Sequence, residues 1–256
     1  CVLNVRCINM RAMHKSPLDQ SITCPPRKVW GNFPDALIHA PESAVKRHPA
    51  YREAKGGDFL AAQSLVRDNF NQLKADELAA LLPGLHPFLV SAHAFEREGV
   101  NAIPEVFADI LGQALGWPVD AGVVQTNVVG HTGADGFSRL ARQACFAGPI
   151  ISGANYVMVD DFIGMGGTLA NLRGYIESQG GSVLAAVALT GKPYSAKLKS
   201  SPERLEELRK KHGNELENWW QNRFGHAFDT LTESEARYLV RTPDADTIRN
   251  RIAAAE

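Results

Sequence analysis

The sequence has few cysteines and no long hydrophobic run. Its four cysteines form no Cys-x-x-Cys pair and have no histidines at zinc-finger spacing, so we expect thiols rather than a zinc site or a disulfide framework. The longest apolar stretches, 156–159 and 183–189, are far shorter than the roughly 20 residues that span a bilayer. Residues 1–20 lack the apolar core of a secretory signal. We therefore expect no membrane association and a cytoplasmic location.

The chain also lacks an excess of charge of one sign. Its 27 Lys and Arg residues offset 28 Asp and Glu residues, so no overall field attracts nucleic acid or an anionic membrane. Residues 1–86 contain 11 basic and 8 acidic residues, too slight an excess to support DNA binding strongly. Any polyanion must be bound by a local site.

The apolar content, 45% of 256 residues, is sufficient for one large domain or two small ones. Because the chain begins with Cys1 and has Met10 and Met13 downstream, we give residues 1–12 no functional weight. Proline and glycine positions and changes of pattern divide the chain into four predicted segments. They are an irregular N-terminal arm over 1–34, a helical segment over 35–86, an α/β core over 87–192 and a helical C-terminal segment over 193–256.

Within the core, apolar runs alternate with helical patterns. Strands are predicted at 87–92, 119–124, 156–159 and 182–189. Helices are predicted at 103–115, 137–146 and 169–178. This order is typical of a parallel sheet flanked by helices, with right-handed crossovers. The predicted fold class is therefore α/β and Rossmann-like, with helical N- and C-terminal additions.

Local signals also mark the flanking helices. Asp58 and Ser201 each stand where a helix cap is expected, and Pro202 follows Ser201 at the first helical position. A further helix is predicted to start at residues 232–235. Four aromatic residues at helical spacing in the C-terminal segment predict a core cluster in preference to a base-stacking surface. They are Trp219, Trp220, Phe224 and Phe228.

The most informative segment is VMVDDFIGMGGTL, residues 157–169. An apolar strand ends in Asp160 and Asp161, and a loop containing Gly166 and Gly167 leads into a helix. Ligands of open α/β sheets bind at the carboxyl ends of strands, and a helix N-terminus favours an anion. Glycine lets the main chain approach phosphate oxygens, Thr168 offers a hydroxyl donor, and the two acids can accept hydrogen bonds from sugar hydroxyls. The segment predicts a phosphate site beside a carboxylate pair.

This segment resembles the phosphoribosyl pyrophosphate (PRPP) loop of type I phosphoribosyltransferases, in which two acids, four variable residues and Gly-Gly-Thr follow a hydrophobic strand. The resemblance covers residues 87–192. It implies that Asp160 and Asp161 contact the ribose hydroxyls and that residues 164–168 cradle the 5′-phosphate; these are Gly164, Met165, Gly166, Gly167 and Thr168. Met165 stands where many members have Thr. Gly164 stands where hypoxanthine-guanine enzymes have an acid, which argues against that subgroup.

The resemblance implies two further loops at the site. A pyrophosphate loop after the first core strand would use Ser91, His93 and Arg97. A mobile loop over 126–136, with His131, would close over the reacting centre and exclude water. Arg139 and Arg142, three residues apart on one face of the next helix, would contact pyrophosphate or a nucleic-acid phosphate. The alternative for these side chains is ordinary solvated surface or a salt bridge.

The implied reaction is displacement of pyrophosphate from C1 of PRPP by a nitrogen acceptor such as a nucleobase. Mg²⁺ would be bound mainly through PRPP and water, so no residue is assigned as a metal ligand. Lys192, after the last strand, is a candidate for the acceptor pocket. A homo-oligomer is expected because type I relatives are often dimers. Two alternatives stay open: a non-catalytic PRPP-responsive regulator that controls nucleic-acid binding, and an effector of a bacterial toxin or phage-defence system.

Overall fold

The computed structural model describes residues 26–91, 95–96, 99–127 and 135–255. The strands in these ranges are β1 Leu37–Pro41, β2 Phe88–Ser91, β3 Phe95–Glu96, β4 Gly99–Val100, β5 Val119–Asp120, β6 Val124–Gln125, β7 Phe146–Ala147, β8 Asn155–Ile163 and β9 Ser182–Gly191. The helices are α1 Glu42–Lys46, α2 Tyr51–Lys55, α3 Phe59–Asn69, α4 Gln72–Leu81, α5 Ile103–Leu115, α6 Gly136–Ala141, α7 Gly167–Ser178, α8 Pro202–Phe224, α9 Glu233–Arg241 and α10 Ala245–Ala254.

The main sheet has five strands in the order β1-β9-β8-β2-β5, and every neighbouring pair is parallel. The predicted fold class, a parallel sheet flanked by helices with a helical C-terminal region, is confirmed. Because the strands are parallel, their carboxyl ends lie at one edge of the sheet, where a ligand site is expected. Two short antiparallel pairs, β3 with β4 and β6 with β7, lie outside this sheet.

The central strands are buried on both faces. Val157 and Val159 of β8 pack into a cluster with α1 to α5, whereas Tyr156 and Met158 pack into a second cluster with α7. This alternation follows from the two-residue period of a strand, and it explains why the segment reads as a continuous apolar run. A third cluster joins α6 to α8, α9 and α10, and it contains Trp220, Phe224 and Phe228, as predicted.

The segment predicted as helical over 35–86 contains helices α1 to α4, but its first element departs from the prediction. Residues 37–41 lie within the segment predicted as helical, but they form β1, an edge strand that pairs with β9 from Leu37↔Val187 to Pro41↔Gly191. The side chain of Thr190 donates to the Ala40 carbonyl over 2.7 Å. A strand of five residues is too short to show a period that distinguishes it from the start of a helix, so only its pairing with β9 decides the structure.

The prediction for residues 119–146 was also partly wrong. The expected strand at 119–124 divides into β5 and β6, because the side chain of Asp120 accepts a hydrogen bond from the Gly122 N–H and turns the chain. The second half then pairs with β7, so Phe146 lies in a strand and not at the end of a helix. The helix expected at 137–146 is shorter than predicted and corresponds to α6, which ends at Ala141.

The helix caps agree with the prediction. Asp58 and Ser201 accept hydrogen bonds from Ala61 and Arg204 at the starts of α3 and α8, and Thr232 forms a full capping box with Glu235 at the start of α9. α8 breaks at Gly213, where φ is 74°. Within the described ranges, no helix is long and apolar enough to span a membrane.

Candidate functional site

The carboxyl end of β8 brings the acid pair to the edge of the sheet. The strand continues past Val159, where it was predicted to end, and pairs Phe162 with Thr190 and Ile163 with Gly191. Asp160 and Asp161 are therefore on the strand itself and are held by its ladder. Both side chains line a cavity of about 270 Å³ at this edge.

The loop after β8 presents the N-terminus of α7 to the same cavity. Gly166 caps the helix with φ of 83°, a left-handed conformation that favours glycine, and a Cβ there would lie 2.8 Å from Leu198 Cδ2. A Cβ on Gly167 would lie 2.7 Å from Glu235 Oε1. Among the described residues, no side chain caps α7. Its first N–H groups therefore form a site suited to an anion.

The C-terminal region supports this loop from the other side. The Ser195 hydroxyl donates to the Gly164 carbonyl, and the Thr232 hydroxyl donates to the Met165 carbonyl over 2.5 Å. These two bonds attach the loop to the C-terminal region. The segment after β9 and the start of α9 thus contribute to the site without being part of the sequence motif.

A buried ion pair ties the N-terminal arm to the same place. Arg27 makes a bidentate contact with Glu235, at 2.7 and 3.0 Å, and its Nε donates to Asn171 Oδ1 over 2.6 Å. The side chains of Arg27 and Glu235 are 3% and 1% exposed. Glu235 Oε2 also accepts from the Thr232 N–H. Breaking such a pair typically costs about 3–5 kcal/mol, because a charge is left buried without its partner.

Basic side chains from separate segments surround the acids. Lys55, at the end of α2, lies 3.1 Å from Asp161 Oδ2. Lys46 of α1, Arg139 of α6 and Arg142 also line the cavity. Arg139 lies against the loop, since a Cβ on Gly164 would be 2.8 Å from its Nη1. The cavity therefore combines two carboxylates with several cations, as a polyphosphate ligand with sugar hydroxyls requires.

The two acids have opposite pKa shifts. Burial, reinforced by the charge of Asp161, raises the pKa of Asp160 well above its ordinary value. Burial also acts to raise the pKa of Asp161, but the charge of Lys55 and hydrogen bonds from Lys55 and Asn101 outweigh it and hold that pKa below its ordinary value. The Asp160 carboxylate accepts the Asp161 N–H over 2.8 Å. The pair thus contains one carboxyl that resists ionisation and one that is ionised beside a lysine.

Most of the predicted site residues meet in this cavity. The lining includes both acids, the loop residues Gly164, Met165, Gly166, Gly167 and Thr168, and the two arginines Arg139 and Arg142. The arginines do not share a helical face, because α6 ends at Ala141 and Arg142 has an extended conformation. The Arg142 Nε donates to the Ala255 carbonyl over 3.0 Å.

The pyrophosphate-loop and mobile-loop predictions lie mainly outside the described residues. His93, Arg97 and His131 are not in the described ranges. Ser91 ends β2 opposite Val159, is 3% exposed and is not part of the cavity lining. Its predicted role therefore stays a prediction.

Sequence reasoning missed Arg27, Lys46, Lys55, Asn171 and Glu235. Lys55 and Arg27 are far along the chain from the residues they contact: 106 positions separate Lys55 from Asp161, and 208 separate Arg27 from Glu235. No local pattern marks such pairs. Tertiary folding alone brings them to the loop.

A larger surface depression, of about 690 Å³, lies beside Trp30 and α8. Its lining contains neither the acid pair nor the glycine loop, so the smaller cavity is the candidate site. Among the residues that the structure describes, no group of three or more His, Cys, Asp and Glu side chains is placed to hold a metal ion.

Fold and site together define an α/β protein with a glycine-containing loop beside paired acids at the carboxyl edge of a parallel sheet. No family model matches the sequence. The chain is similar to protein TraN of Escherichia coli, with 38% identity over 229 residues, 90% of this chain and 51% of TraN. It is also similar to an uncharacterized protein of Haemophilus influenzae, with 33% identity over 182 residues, 68% of this chain and 41% of that protein. The chain spans about half the length of the curated relatives it matches.

Solved structures of phosphoribosyltransferases are also similar to this chain. The adenine phosphoribosyltransferase of Leishmania tarentolae is 17% identical, with 75% of this chain and 78% of that chain covered and a TM-score of 0.34.

Proposed function

We propose that the protein is a PRPP-dependent phosphoribosyltransferase, which transfers the ribose 5-phosphate group of PRPP to a nitrogen acceptor. The observation that carries the proposal is the junction of β8 and α7, where a carboxylate pair and an uncapped glycine-flanked helix N-terminus line one cavity. A pentose 5-phosphate carries a phosphate and sugar hydroxyls on one small molecule. The cavity offers N–H donors for the phosphate and carboxylate acceptors for the hydroxyls.

The proposal assigns a task to each part of the site. The N–H groups at the start of α7 and the Thr168 hydroxyl bind the 5′-phosphate. Asp160 and Asp161 accept hydrogen bonds from the ribose hydroxyls and orient the sugar. Lys55 and Arg139 bring positive charge to the pyrophosphate end, where negative charge develops as the bond breaks. No side chain needs to act as a nucleophile.

The residues present also suit Mg²⁺ brought in with PRPP. This ion commonly takes one or two protein carboxylates and completes its shell with substrate phosphates and water, and the cavity offers two carboxylates beside the anion site. When bound there, it would neutralise charge on the pyrophosphate. Asp160 and Asp161 are the residues that would hold it.

The chemical step balances without any other co-reactant. The bond from C1 to the pyrophosphate oxygen breaks, and its electron pair leaves with pyrophosphate. The acceptor nitrogen supplies the electron pair of the new C1–N bond and loses its proton to solvent. The acceptor, a homo-oligomeric state and nucleic-acid binding stay predictions.

The test is pyrophosphate release from PRPP and Mg²⁺ in the presence of a panel of purine and pyrimidine bases. We expect release that depends on one acceptor and falls at least a hundredfold in Asp160→Asn with Asp161→Asn. Asp76→Asn with Asp246→Asn removes the same charge from exposed positions and is expected to leave the rate unchanged. PRPP binding without release for any acceptor would favour a PRPP-responsive regulator over an enzyme.

A further inference from the structure

A second cavity, of about 340 Å³, adjoins the first one. The two share Lys46, Arg139, Phe162, Gly164 and Met165, so the loop after β8 forms a wall of both. The far side of the second cavity is formed by the segment after β9 and by α9. A molecule bound there would lie directly against the molecule bound in the first cavity. We call this second cavity the α9 pocket.

The lining of the α9 pocket is strongly basic. Five basic residues line it: Lys46, Arg139, Lys192, Arg237 and Arg241. The single acidic residue of the lining, Glu42, accepts a hydrogen bond from Lys46 over 2.5 Å. Since the whole chain has a net charge of −1, this local excess of positive charge is a property of the pocket and not of the protein. A concave surface lined by one sign of charge concentrates ligands of the opposite sign.

Two further features suit the α9 pocket to a planar anion. The hydroxyl of Ser234, a residue 4% exposed, is buried in the pocket wall and makes no hydrogen bond within the described part of the chain. The Arg237 guanidinium lies 4.0 Å from the centre of the Tyr194 ring, and Tyr194 is 48% exposed. The stacked pair offers a flat face, a positive charge and donors to a ring that bears an anionic group.

We propose that the acceptor is a planar, anionic molecule, and that the α9 pocket binds its phosphate or carboxylate group. This inference rests on the proposed function, because it names the class of nitrogen nucleophile that the site takes. Arg237 and Arg241 recognise the anion and Tyr194 supports the ring. A neutral base would leave the charges of this pocket without a counter-charge, so the pocket discriminates against it.

The test compares two pairs of probes. Orotate and uracil differ by a carboxylate, and adenosine 5′-monophosphate and adenosine differ by a phosphate. In calorimetric titration, we expect the anionic member of one pair to bind at least tenfold more tightly than the neutral member. A difference in the first pair indicates that the pocket binds a carboxylate, and a difference in the second pair indicates a phosphate. Arg237→Gln with Arg241→Gln is expected to remove the preference for the anionic probe. Lys192→Gln is expected to reduce it. Lys197→Gln with Lys210→Gln removes as much charge from exposed positions outside the pocket and is expected to keep the preference.

PRPP titration of the same variants separates the two proposals. PRPP binding that is equal in wild type and in Arg237→Gln with Arg241→Gln shows that the variant is folded and that the first cavity is intact. Equal affinities for the anionic and neutral probes would then overturn the inference alone. Adenosine monophosphate binding that depends on Thr168 and not on Arg237 or Arg241 would also overturn it, because the phosphate would lie in the loop. Failure of PRPP to bind wild type would instead overturn the proposed function.

Discussion

At the scale of single residues, the acid pair shows how one strand end gives two adjacent carboxyls different properties. Asp160 is surrounded by protein, whereas Asp161 has Lys55 at 3.1 Å. The raised pKa of Asp160 means that its charge is unfavourable in the folded state. A group whose folded pKa is raised stabilises the fold at low pH, and that contribution is lost as the pH rises through the folded pKa. Asp160 therefore lowers stability at neutral pH, as is common for functional residues.

Asp160→Asn separates stability from binding. Asparagine keeps an oxygen that can accept the Asp161 N–H but carries no charge, so we expect the free energy of unfolding at pH 7.5 to equal or exceed that of wild type. Binding of PRPP with Mg²⁺ is expected to weaken at least tenfold. Urea denaturation and calorimetric titration measure the two quantities. A variant that is less stable yet binds normally would show that Asp160 has a structural role only.

Lys55→Gln tests the contact that sequence reasoning missed. Removing the lysine leaves Asp161 buried without its cation and takes one positive charge from the cavity, so we expect PRPP affinity to fall about tenfold, or about 1.4 kcal/mol. Titration of PRPP into the variant measures the change. Lys197→Gln, at an exposed position outside the cavity, is the matched control. Unchanged affinity in Lys55→Gln would mean that Lys55 only neutralises Asp161.

The residue scale also shows the limit of prediction from sequence. Asp160, Asp161 and Thr168 could be predicted because their types and spacing are local and the chemistry of a helix N-terminus is general. Lys55 and Arg27 could not, because a basic residue on a short helix or in an irregular arm is usually exposed. Their contacts depend on how α2 and the arm pack against a sheet that begins far along the chain.

At the scale of elements, the loop after β8 depends on the segments that follow the sheet. Ser195 and Thr232 bind the carbonyls of Gly164 and Met165, and Glu235 approaches Gly167. The C-terminal region is therefore part of the site. A loop fixed in this way has less conformational entropy to lose when it binds an anion.

Thr232→Val removes this support. Valine keeps the shape but loses both the bond to the Met165 carbonyl and the cap that accepts the Glu235 N–H, so we expect a loss of about 1–3 kcal/mol of stability and weaker PRPP binding. Thr232→Ser retains the hydroxyl and is expected to restore both. Denaturation and PRPP titration of the two variants decide the question. If serine failed to rescue binding, the hydroxyl would not be the group that supports the loop.

The order of elements in the core was predictable because it depends on local sequence patterns. Single contacts were not, because they join residues that are far apart along the chain. Buried parallel strands need continuous apolar runs, and α5 has a long amphipathic pattern that predicts its limits, Ile103 and Leu115, correctly. The errors fall where local signals are short. β1 was missed because five residues contain no decisive period, and β5 and β6 were merged because the turn at Asp120 and Gly122 is too short to interrupt the apolar pattern.

At the scale of the whole molecule, the two flanking segments meet on the sheet. Arg27 from the arm, Asn171 from α7 and Glu235 from α9 form one buried network. Two buried histidines also connect the flanking segments to the core. Burial and the charge of Lys74 lower the pKa of His39 to about 4, and burial and the charge of Arg27 lower the pKa of His226 to about 3.

These histidines predict acid sensitivity. Below about pH 6.5 the unfolded chain binds protons that the folded chain rejects, so stability present at higher pH is lost as the pH falls, by about 2 kcal/mol for each histidine at pH 5. In His39→Asn, the drop in the free energy of unfolding between pH 7.5 and pH 5 is expected to be about 2 kcal/mol smaller than in wild type. His86→Asn, at an exposed position, is the control. Equal drops in His39→Asn and wild type would contradict the account.

The central claim is that the cavity at the end of β8 binds PRPP with Mg²⁺, and thermal unfolding tests it most directly. A ligand at one hundred times its dissociation constant stabilises the folded state by about 2.7 kcal/mol, which for a chain of this size raises Tm by about 5–10 °C. We expect this rise in wild type and in Asp76→Asn with Asp246→Asn, and none in Asp160→Asn with Asp161→Asn. An unchanged Tm of the wild-type protein at millimolar PRPP and Mg²⁺ would contradict the account.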